Sequence, residues 1–128
     1  MSEKPVLQKL LLKPGARAAV LGAPPSYETV LQQLPPNVDL SRQLNGSFDF
    51  IHAFVTQRDA LLRDGPTFRA ALNPNGVLWV SYPKGKAIPT DLNRDIVRET
   101  VQQVGLDTVS QVAIDETWSA LRLKPSSS

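Results

Sequence analysis

The chain has 128 residues, with 14 lysines and arginines against 12 aspartates and glutamates, and its formal net charge of +2 is not concentrated in a basic block. Its 41% hydrophobic content and short apolar runs are typical of a folded domain and exclude a membrane span. The chain has no cysteine and a single histidine, His52, which excludes disulfides, thiol nucleophiles and zinc sites built on thiolates or histidine clusters.

The length predicts one domain over residues 1–125 with a flexible tail at 126–128. The first residues lack the basic and apolar pattern of a secretion signal, which predicts a cytoplasmic protein. Scattered basic residues argue against nucleic-acid binding, which needs a concentrated basic face.

The first predicted elements are a short helix and a buried strand. Leu7, Leu10 and Leu11 share a helical face that the turn at residues 13–15 ends. Residues 16–21 are small and branched with little alternation, which indicates a strand covered on both faces.

A second helix follows the turn Gly22-Ala23-Pro24-Pro25. We expect Ser26 to cap this helix, Tyr27 to begin its apolar stripe, and the prolines at 35 and 36 to end it. A weak strand at residues 38–40 and a central strand at 48–55 come next.

The middle of the chain continues the alternation of helices and strands. Residues 58–63 and 67–72 are predicted to be helical, with a kink or a break at Gly65-Pro66. Residues 73–76 form a strong turn signal before a buried strand at 77–82.

The last elements are a helix and a hairpin. After a loop at residues 83–89, Thr90 or Asp91 is expected to cap a helix that ends near Gly105. Strands at 108–114 and 117–123, joined by Asp115 and Glu116, complete the chain.

This order predicts an α/β fold: a mostly parallel sheet with helices on both faces and a C-terminal antiparallel hairpin strand. With residues 72–80, whose Leu-Asn-Pro-Asn-Gly-Val-Leu-Trp-Val leads into a strand, the pattern resembles the Rossmann-like fold of S-adenosylmethionine-dependent methyltransferases. In that family the last strand runs antiparallel and inserts into the sheet. The resemblance implies S-adenosylmethionine as cofactor.

The first turn argues against that cofactor. Close approach of the backbone to such a ligand needs several glycines, and this turn has only Gly22. Prolines 24 and 25 remove two amide donors, and the sequence Ser41-Arg42-Gln43 lacks the acidic residue that would bind a ribose. We therefore predict no cofactor, with S-adenosylmethionine as the alternative.

A second resemblance covers nearly the whole chain. Residues 12–15, 77–84, 91–99 and 115–119 are similar to a bacterial family of small proteins classified as domain of unknown function 3052. This resemblance implies no defined activity.

Ligands of open parallel sheets bind beyond the carboxyl ends of the strands, which selects one rim of this fold. Lys84, Lys86, Thr90 and the following helix N-terminus could form an anion site there, or the lysines could only be solvated. The candidate ligand-binding residues are Gly22, Ser26, Tyr27, Lys84, Lys86, Thr90, Asn93, Arg94, Asp115, Glu116 and Trp118.

Several polar residues of this rim and of the strands can be interpreted either as functional or as structural. Asp91 and Asp95 could pair for acid-base chemistry, or could bind neighbouring arginines, and Asp115 could simply turn the hairpin. Arg94 near Trp118 could grip an anion, although a tryptophan is more often a core residue. His52 lies within a strand and is expected to be an interior residue.

The sequence leaves three functional hypotheses open. The leading hypothesis is a degenerate methyltransferase-like scaffold that binds a small anionic ligand or a protein partner at the carboxyl edge. The alternatives are a divergent S-adenosylmethionine-dependent methyltransferase and a homo-oligomeric interaction module. No catalytic residue and no metal ligand is identified.

Overall fold

The computed structural model describes residues 5–85 and 88–126. The described strands are β1 (Arg17–Leu21), β2 (Asp39–Ser41), β3 (Phe48–Phe54), β4 (Leu72–Pro83), β5 (Leu106–Ala113) and β6 (Trp118–Pro125). The described helices are α1 (Val6–Lys9), α2 (Glu28–Leu31), α3 (Arg58–Ala71) and α4 (Arg94–Gln102), with a 3₁₀ turn at Pro25–Tyr27 before α2.

The strands form a six-stranded sheet in the order β2-β1-β3-β4-β6-β5. Strands β1 to β4 pair in parallel, whereas β6 runs antiparallel to both of its neighbours, β4 and β5. The last strand is thus inserted into the sheet, and the predicted fold class is confirmed. The predicted hairpin at Asp115 and Glu116 is also confirmed, because β5 and β6 pair on either side of it.

Alternate residues of the strands face two separate apolar clusters. On one face Ile51, Leu78 and Val80 pack with the buried residues of α3 and α4, and on the other Phe50 and Trp79 pack with α1 and α2. Burial on both faces explains why the central strands are almost continuously apolar. No helix in the described parts of the chain is long and apolar enough to cross a membrane.

The first helix is shorter than predicted. It ends at Lys9, and Leu11 is 42% exposed with a φ of 68°, so the expectation that Leu11 shares the buried helical face is wrong. Leu7 and Leu10 are buried, as that expectation requires. Because the helix ends before Leu11, the 3.6-residue period does not place Leu11 on the buried face.

Ser26 does not cap a helix. It lies inside the 3₁₀ turn, and no side chain caps either that turn or α2. The helix then ends at Leu31, before the prolines that were expected to end it. Pro25 begins this turn, where a fixed φ and a missing amide are tolerated, and Pro24 precedes it in an extended conformation.

Pro66 neither breaks nor ends α3, which continues from Arg58 to Ala71 with the proline inside it. The turn predicted at residues 73–76 lies within β4, where the register with β3 shifts: Phe48 pairs with Leu72, but Phe50 pairs with Val77. The turn signal therefore produced a wide bulge in a strand rather than a connection between elements.

Neither Thr90 nor Asp91 caps α4. Asn93 does so, because its Oδ1 accepts a hydrogen bond from the amide of Ile96 at 2.9 Å. Asp91 instead accepts a hydrogen bond from the amide of Arg58 at 2.8 Å, at the first turn of α3. Asp91 and Asp95 are consequently not one turn apart on a helix, and the alternative in which they pair for acid-base chemistry loses its basis, whereas the structural interpretation fits the ion pair of Asp95 with Arg94.

Candidate functional site

The turn after β1 packs tightly against the end of β3. Gly22 has a φ of +70°, and a Cβ atom there would lie 3.1 Å from the carbonyl oxygen of Phe54, at the end of β3. A side chain would be strained in this conformation and would press on the neighbouring strand. Gly22 thus allows β1 to turn closely past β3.

Tyr27 fills the space beneath this turn. It is 2% exposed, and its ring lies edge-on to His52 and Phe54. Its hydroxyl lies 3.2 Å from Nδ1 of His52. The polar end of Tyr27, which the sequence offered as a ligand contact, is bound inside the protein.

His52 joins Tyr27 to Ser81. Its Nε2 lies 2.6 Å from Oγ of Ser81, and both residues are completely buried. Burial lowers the pKa of His52 from 6.5 to about 3 and raises the pKa of the Tyr27 hydroxyl. The imidazole is therefore neutral, and the expectation that His52 is an interior residue is confirmed.

A serine beside a histidine is the residue combination of a nucleophilic catalytic site, but here a substrate has no access to the serine. Ser81 is 0% exposed, so no substrate carbonyl can reach its hydroxyl. The three side chains satisfy one another in an aromatic environment, with the His52 ring stacked on Phe54 at a centroid distance of 4.3 Å. We interpret the network as structural.

A second bridge crosses the same edge of the sheet. Arg42 follows β2, and its two terminal nitrogens each donate to a carboxylate oxygen of Glu28 at 2.8 Å. This bidentate bond lowers the pKa of Glu28 and raises the pKa of Arg42. An arginine tied to the start of α2 thus stands where nucleotide-binding domains carry an acidic ribose ligand.

A broad concavity lies farther along the carboxyl edge. This carboxyl-edge groove of about 1010 Å³ runs between α1, α2 and the turn that joins β5 to β6. Val6, Val30 and Ile114 supply apolar lining, and the charged lining residues are Lys9, Lys84, Asp115 and Glu116. Three predicted site residues, Lys84, Asp115 and Glu116, are therefore brought together.

The carboxylate of Asp115 already has a structural role in this groove. Its Oδ1 accepts hydrogen bonds from the amides of Thr117 and Trp118, both at 2.8 Å, and these fix the hairpin turn. The Lys84 amide donates to the carbonyl of Thr117 at 2.8 Å, which holds the end of β4 against the same turn. The groove wall is thus built from hydrogen-bonded backbone.

The remaining predicted site residues lie elsewhere. Thr90 donates to the carbonyl of Thr56 at 2.6 Å, and lines a separate depression with Gln57, Asp59, Pro89 and Asp91. Asn93 is occupied by its cap, and Arg94 lies 3.8 Å from Asp95 at the exposed start of α4. Lys84 and Thr90, which were predicted to share an anion site, thus line different depressions. Lys86 lies outside the described residues.

Trp118 is buried in the α1 and α2 cluster, 5% exposed, with its ring edge-on to Phe54. The buried residues of α4 belong to the other cluster. The expectation that Trp118 is a core residue is therefore confirmed, and the alternative, in which it lies near Arg94, is not formed. Within the described ranges, the arginine over an aromatic ring is Arg17, whose guanidinium carbon lies 4.4 Å from the centre of Phe48.

Sequence reasoning missed Ser81 and the pairing of Arg42 with Glu28. A polar residue inside an apolar strand was the available signal for Ser81, but its partner lies 29 residues away in another strand. Across residues 5–85 and 88–126, no cluster of three histidine, cysteine, aspartate or glutamate side chains is suited to a metal ion.

Comparison with known proteins gives structural neighbours only. No protein-family model matches the chain, and no curated protein sequence matches it. A SAM-dependent methyltransferase from Aquifex aeolicus is similar over 92% of this chain and 86% of its own, with a TM-score of 0.70 and 12% identity.

Two further structures show the same similarity. DhpI in its complex with SAH matches 97% of this chain and 83% of its own, with a TM-score of 0.65 and 11% identity. The ribosomal protein L11 methylase of Lactobacillus delbrueckii subsp. bulgaricus matches 94% of this chain and 74% of its own, with a TM-score of 0.58 and 14% identity. At these identities the likeness establishes the fold, and the fold of this chain is that of the methyltransferases.

Proposed function

We propose that this chain is a methyltransferase-like scaffold that binds a small anionic ligand in the carboxyl-edge groove and does not use the cofactor position after β1. The observation that carries the proposal is the convergence of Lys84, Asp115 and Glu116 on a groove of about 1010 Å³ at the edge where ligands of such sheets bind. Membership of the family of unknown function 3052 remains part of this proposal.

The lining of the groove favours a ligand with two kinds of polar group. Lys84 can hold a carboxylate or phosphate, while Glu116 and the remaining oxygen of Asp115 can accept hydrogen bonds from the same molecule. The apolar side chains of Val6, Val30 and Ile114 would contact the body of the ligand.

The closed turn after β1 supports a function without S-adenosylmethionine. Prolines at 24 and 25 supply no amide donors, Tyr27 fills the space below, and Arg42 is tied to Glu28 across the edge. Few groups remain there to hold an adenosine or a methionine carboxylate.

The groove is tested with inorganic phosphate as a probe, by thermal unfolding and by amide chemical shifts of residues 113–117. We expect Lys84→Ala to weaken the phosphate effect about fivefold, because one exposed charge contact contributes about 1 kcal/mol. Arg94→Ala is the matched control, since Arg94 is another cation near the carboxyl edge but lies outside the groove lining. Equal responses of the two variants would overturn the proposal.

The second candidate is a divergent methyltransferase, favoured by the similarity to DhpI, which was solved with SAH. Calorimetric titration with S-adenosylmethionine separates the two functions. The scaffold proposal expects no heat and no stabilisation at millimolar ligand, whereas saturable binding that Tyr27→Ala or Gly22→Val removes would overturn it in favour of a cofactor-binding protein.

A third candidate is self-association through β5, an eight-residue strand at the end of the sheet on which Val109 is 46% exposed. Open strand edges pair readily with other chains. Light scattering over a range of concentrations tests this candidate: a monomeric mass throughout excludes it, and dissociation of a dimer by Val109→Lys supports it.

A further inference from the structure

Leu11 occupies a position that favours glycine. The amide of Leu11 donates to the carbonyl of Gln8 and the amide of Leu12 donates to that of Leu7, which is the Schellman pattern at the end of α1. In this pattern Leu11 has a left-handed φ of 68° and is 42% exposed. A branched apolar residue is strained there and gains little from burial, so the local structure does not account for it.

The side chain of Leu11 lines a pocket of about 270 Å³ at the amino edge of the sheet, which we call the amino-edge pocket. Phe50 and Val77 line it from β3 and β4, and Ala16 lines it just before β1. Its wall is fixed, since Nε1 of Trp79 donates to the carbonyl of Leu10 at 2.7 Å. The pocket thus has an apolar part beside polar residues, and it lies at the opposite edge of the sheet from the carboxyl-edge groove.

Charged residues surround this apolar lining. Lys13 and Arg122 both line the pocket, and within residues 5–85 and 88–126 the side chain of neither makes a hydrogen bond or an ion pair, although the backbone of Lys13 accepts from Ala16 and Arg122 is paired within β6. Asp49 also lines it, but both oxygens are engaged: Oδ2 accepts from the backbone amide of Arg17 at 2.9 Å and Oδ1 accepts from the side-chain Nδ2 of Asn73 at 2.8 Å. These bonds hold the Asp49 carboxylate to the ends of the strands, whereas the charged groups of Lys13 and Arg122 have no side-chain partner among the residues that the structure describes.

We propose that the amino-edge pocket binds a small organic anion with an apolar body, such as an arylalkyl carboxylate. The apolar body packs on Leu11, Phe50 and Val77, and the anionic group binds Arg122 and Lys13. The unfavourable backbone of Leu11 is then explained by the side chain that it places at the pocket. This inference is independent of the function proposed for the carboxyl-edge groove.

The probe is phenylacetate, titrated into the full chain and followed by amide chemical shifts of Ala16, Val77 and Arg122. We expect saturable binding with a dissociation constant of about 1 mM, as befits a ligand of this size. Phenylacetamide has the same body without the charge, and acetate has the charge without the body. Both are expected to bind at least about tenfold more weakly.

Variants separate this site from general anion binding. Arg122→Gln and Lys13→Gln are each expected to weaken phenylacetate binding about tenfold, whereas Arg94→Gln, at an arginine that lines neither site, leaves it unchanged. Leu11→Gly provides a second test, because it relieves the left-handed backbone and raises the melting temperature while weakening the binding of phenylacetate.

The proposal is overturned if phenylacetamide binds as tightly as phenylacetate, if the amides of Ala16 and Val77 do not shift, or if neither Arg122→Gln nor Lys13→Gln changes the affinity. Lys13 is exposed, so Lys13→Gln keeps the test valid even if Arg122→Gln fails to fold.

Discussion

Polar residues inside the strands of this protein bind one another. His52 lies between the hydroxyls of Tyr27 and Ser81, and all three side chains belong to the face of the sheet that α1 and α2 cover. A buried polar group without a partner costs free energy, so each residue of the network depends on the other two. The network ties the turn after β1 to the two central strands.

We expect Tyr27→Phe to lower the free energy of unfolding by about 1–3 kcal/mol, because it leaves Nδ1 of His52 without a partner in the core. His52→Phe is expected to cost more, since it removes the partners of both Tyr27 and Ser81. Urea unfolding measures both variants. Wild-type stability of His52→Phe would contradict a structural role for the network.

The same network predicts a dependence of stability on pH. The pKa of His52 is about 3 in the folded protein and 6.5 when the ring is free, so between these values the unfolded chain binds a proton that the folded protein does not. Stability is therefore full above pH 6.5 and falls as the pH decreases, by up to about 1.4 kcal/mol per unit. The stability difference between wild type and His52→Gln, measured from pH 7 to pH 5, should shrink as the pH falls. A constant difference would contradict the low pKa.

At the scale of elements, the helices are held by side chains and contacts that come from elsewhere in the fold. The start of α3 is capped by Asp91, which lies 33 residues from its partner Arg58 and just before α4. The end of α1 is closed by its own backbone and by Trp79, whose indole nitrogen binds the carbonyl of Leu10. Short helices of this kind depend on tertiary contacts because their intrinsic stability is low.

Asp91→Ala should destabilise the protein by about 1 kcal/mol, which is the usual effect of losing a helix cap. Asp91→Asn keeps an oxygen at the same position and should retain most of the stability. Chemical denaturation of the two variants provides the measurement. Equal losses would indicate that the negative charge, and not the hydrogen bond to Arg58, stabilises α3.

Two adjacent leucines at the end of α1 should respond very differently to truncation. Leu10 is 0% exposed and Leu11 is 42% exposed. Leu10→Ala is expected to cost about 2–5 kcal/mol by leaving a cavity, whereas Leu11→Ala should change stability by less than about 0.5 kcal/mol. Thermal or urea unfolding distinguishes them. Similar losses would mean that α1 does not pack on the sheet as described.

At the scale of the whole molecule, a single sheet separates the two apolar clusters, and its central strands contribute residues to both. Ile51 faces α3 and α4, while its neighbour Phe50 faces α1 and α2. Neither cluster can lose its strands without disrupting the other. The carboxyl-edge groove and the amino-edge pocket both lie on the side of α1 and α2, at opposite edges of the sheet.

We expect the chain to unfold in one cooperative transition. Both tryptophans, Trp79 and Trp118, report on the α1 and α2 cluster, whereas far-ultraviolet circular dichroism is dominated by α3 and α4 on the other face. The transitions from fluorescence and circular dichroism should therefore coincide. Separate transitions would contradict the prediction of one domain over residues 1–125.

The order of strands and helices followed from sequence because it depends on local patterns. Runs of apolar residues predicted β1, β3 and the later part of β4, and the helical period of Val97 and Val101 predicted α4. The inserted antiparallel last strand was expected from the resemblance to methyltransferases and is present. Element ends were less well predicted. The conformations of Leu11, Ser26 and Asp91 depend on distant partners or on neighbouring prolines, which the periodicity of a short segment does not include.

What the sequence determined by itself was the α/β class, the interior place of His52, and the carboxyl edge as the region of Lys84, Asp115 and Glu116. Only the tertiary structure decided that Lys84 lines the same groove as the hairpin turn, whereas Thr90 and Arg94 lie elsewhere. It also decided that Lys13 and Arg122 lie beside the apolar side chains of one pocket. Local periodicity fixes which face of an element is apolar. Contacts between polar residues depend on how elements that are distant in the chain pack together. The local sequence pattern does not predict that packing.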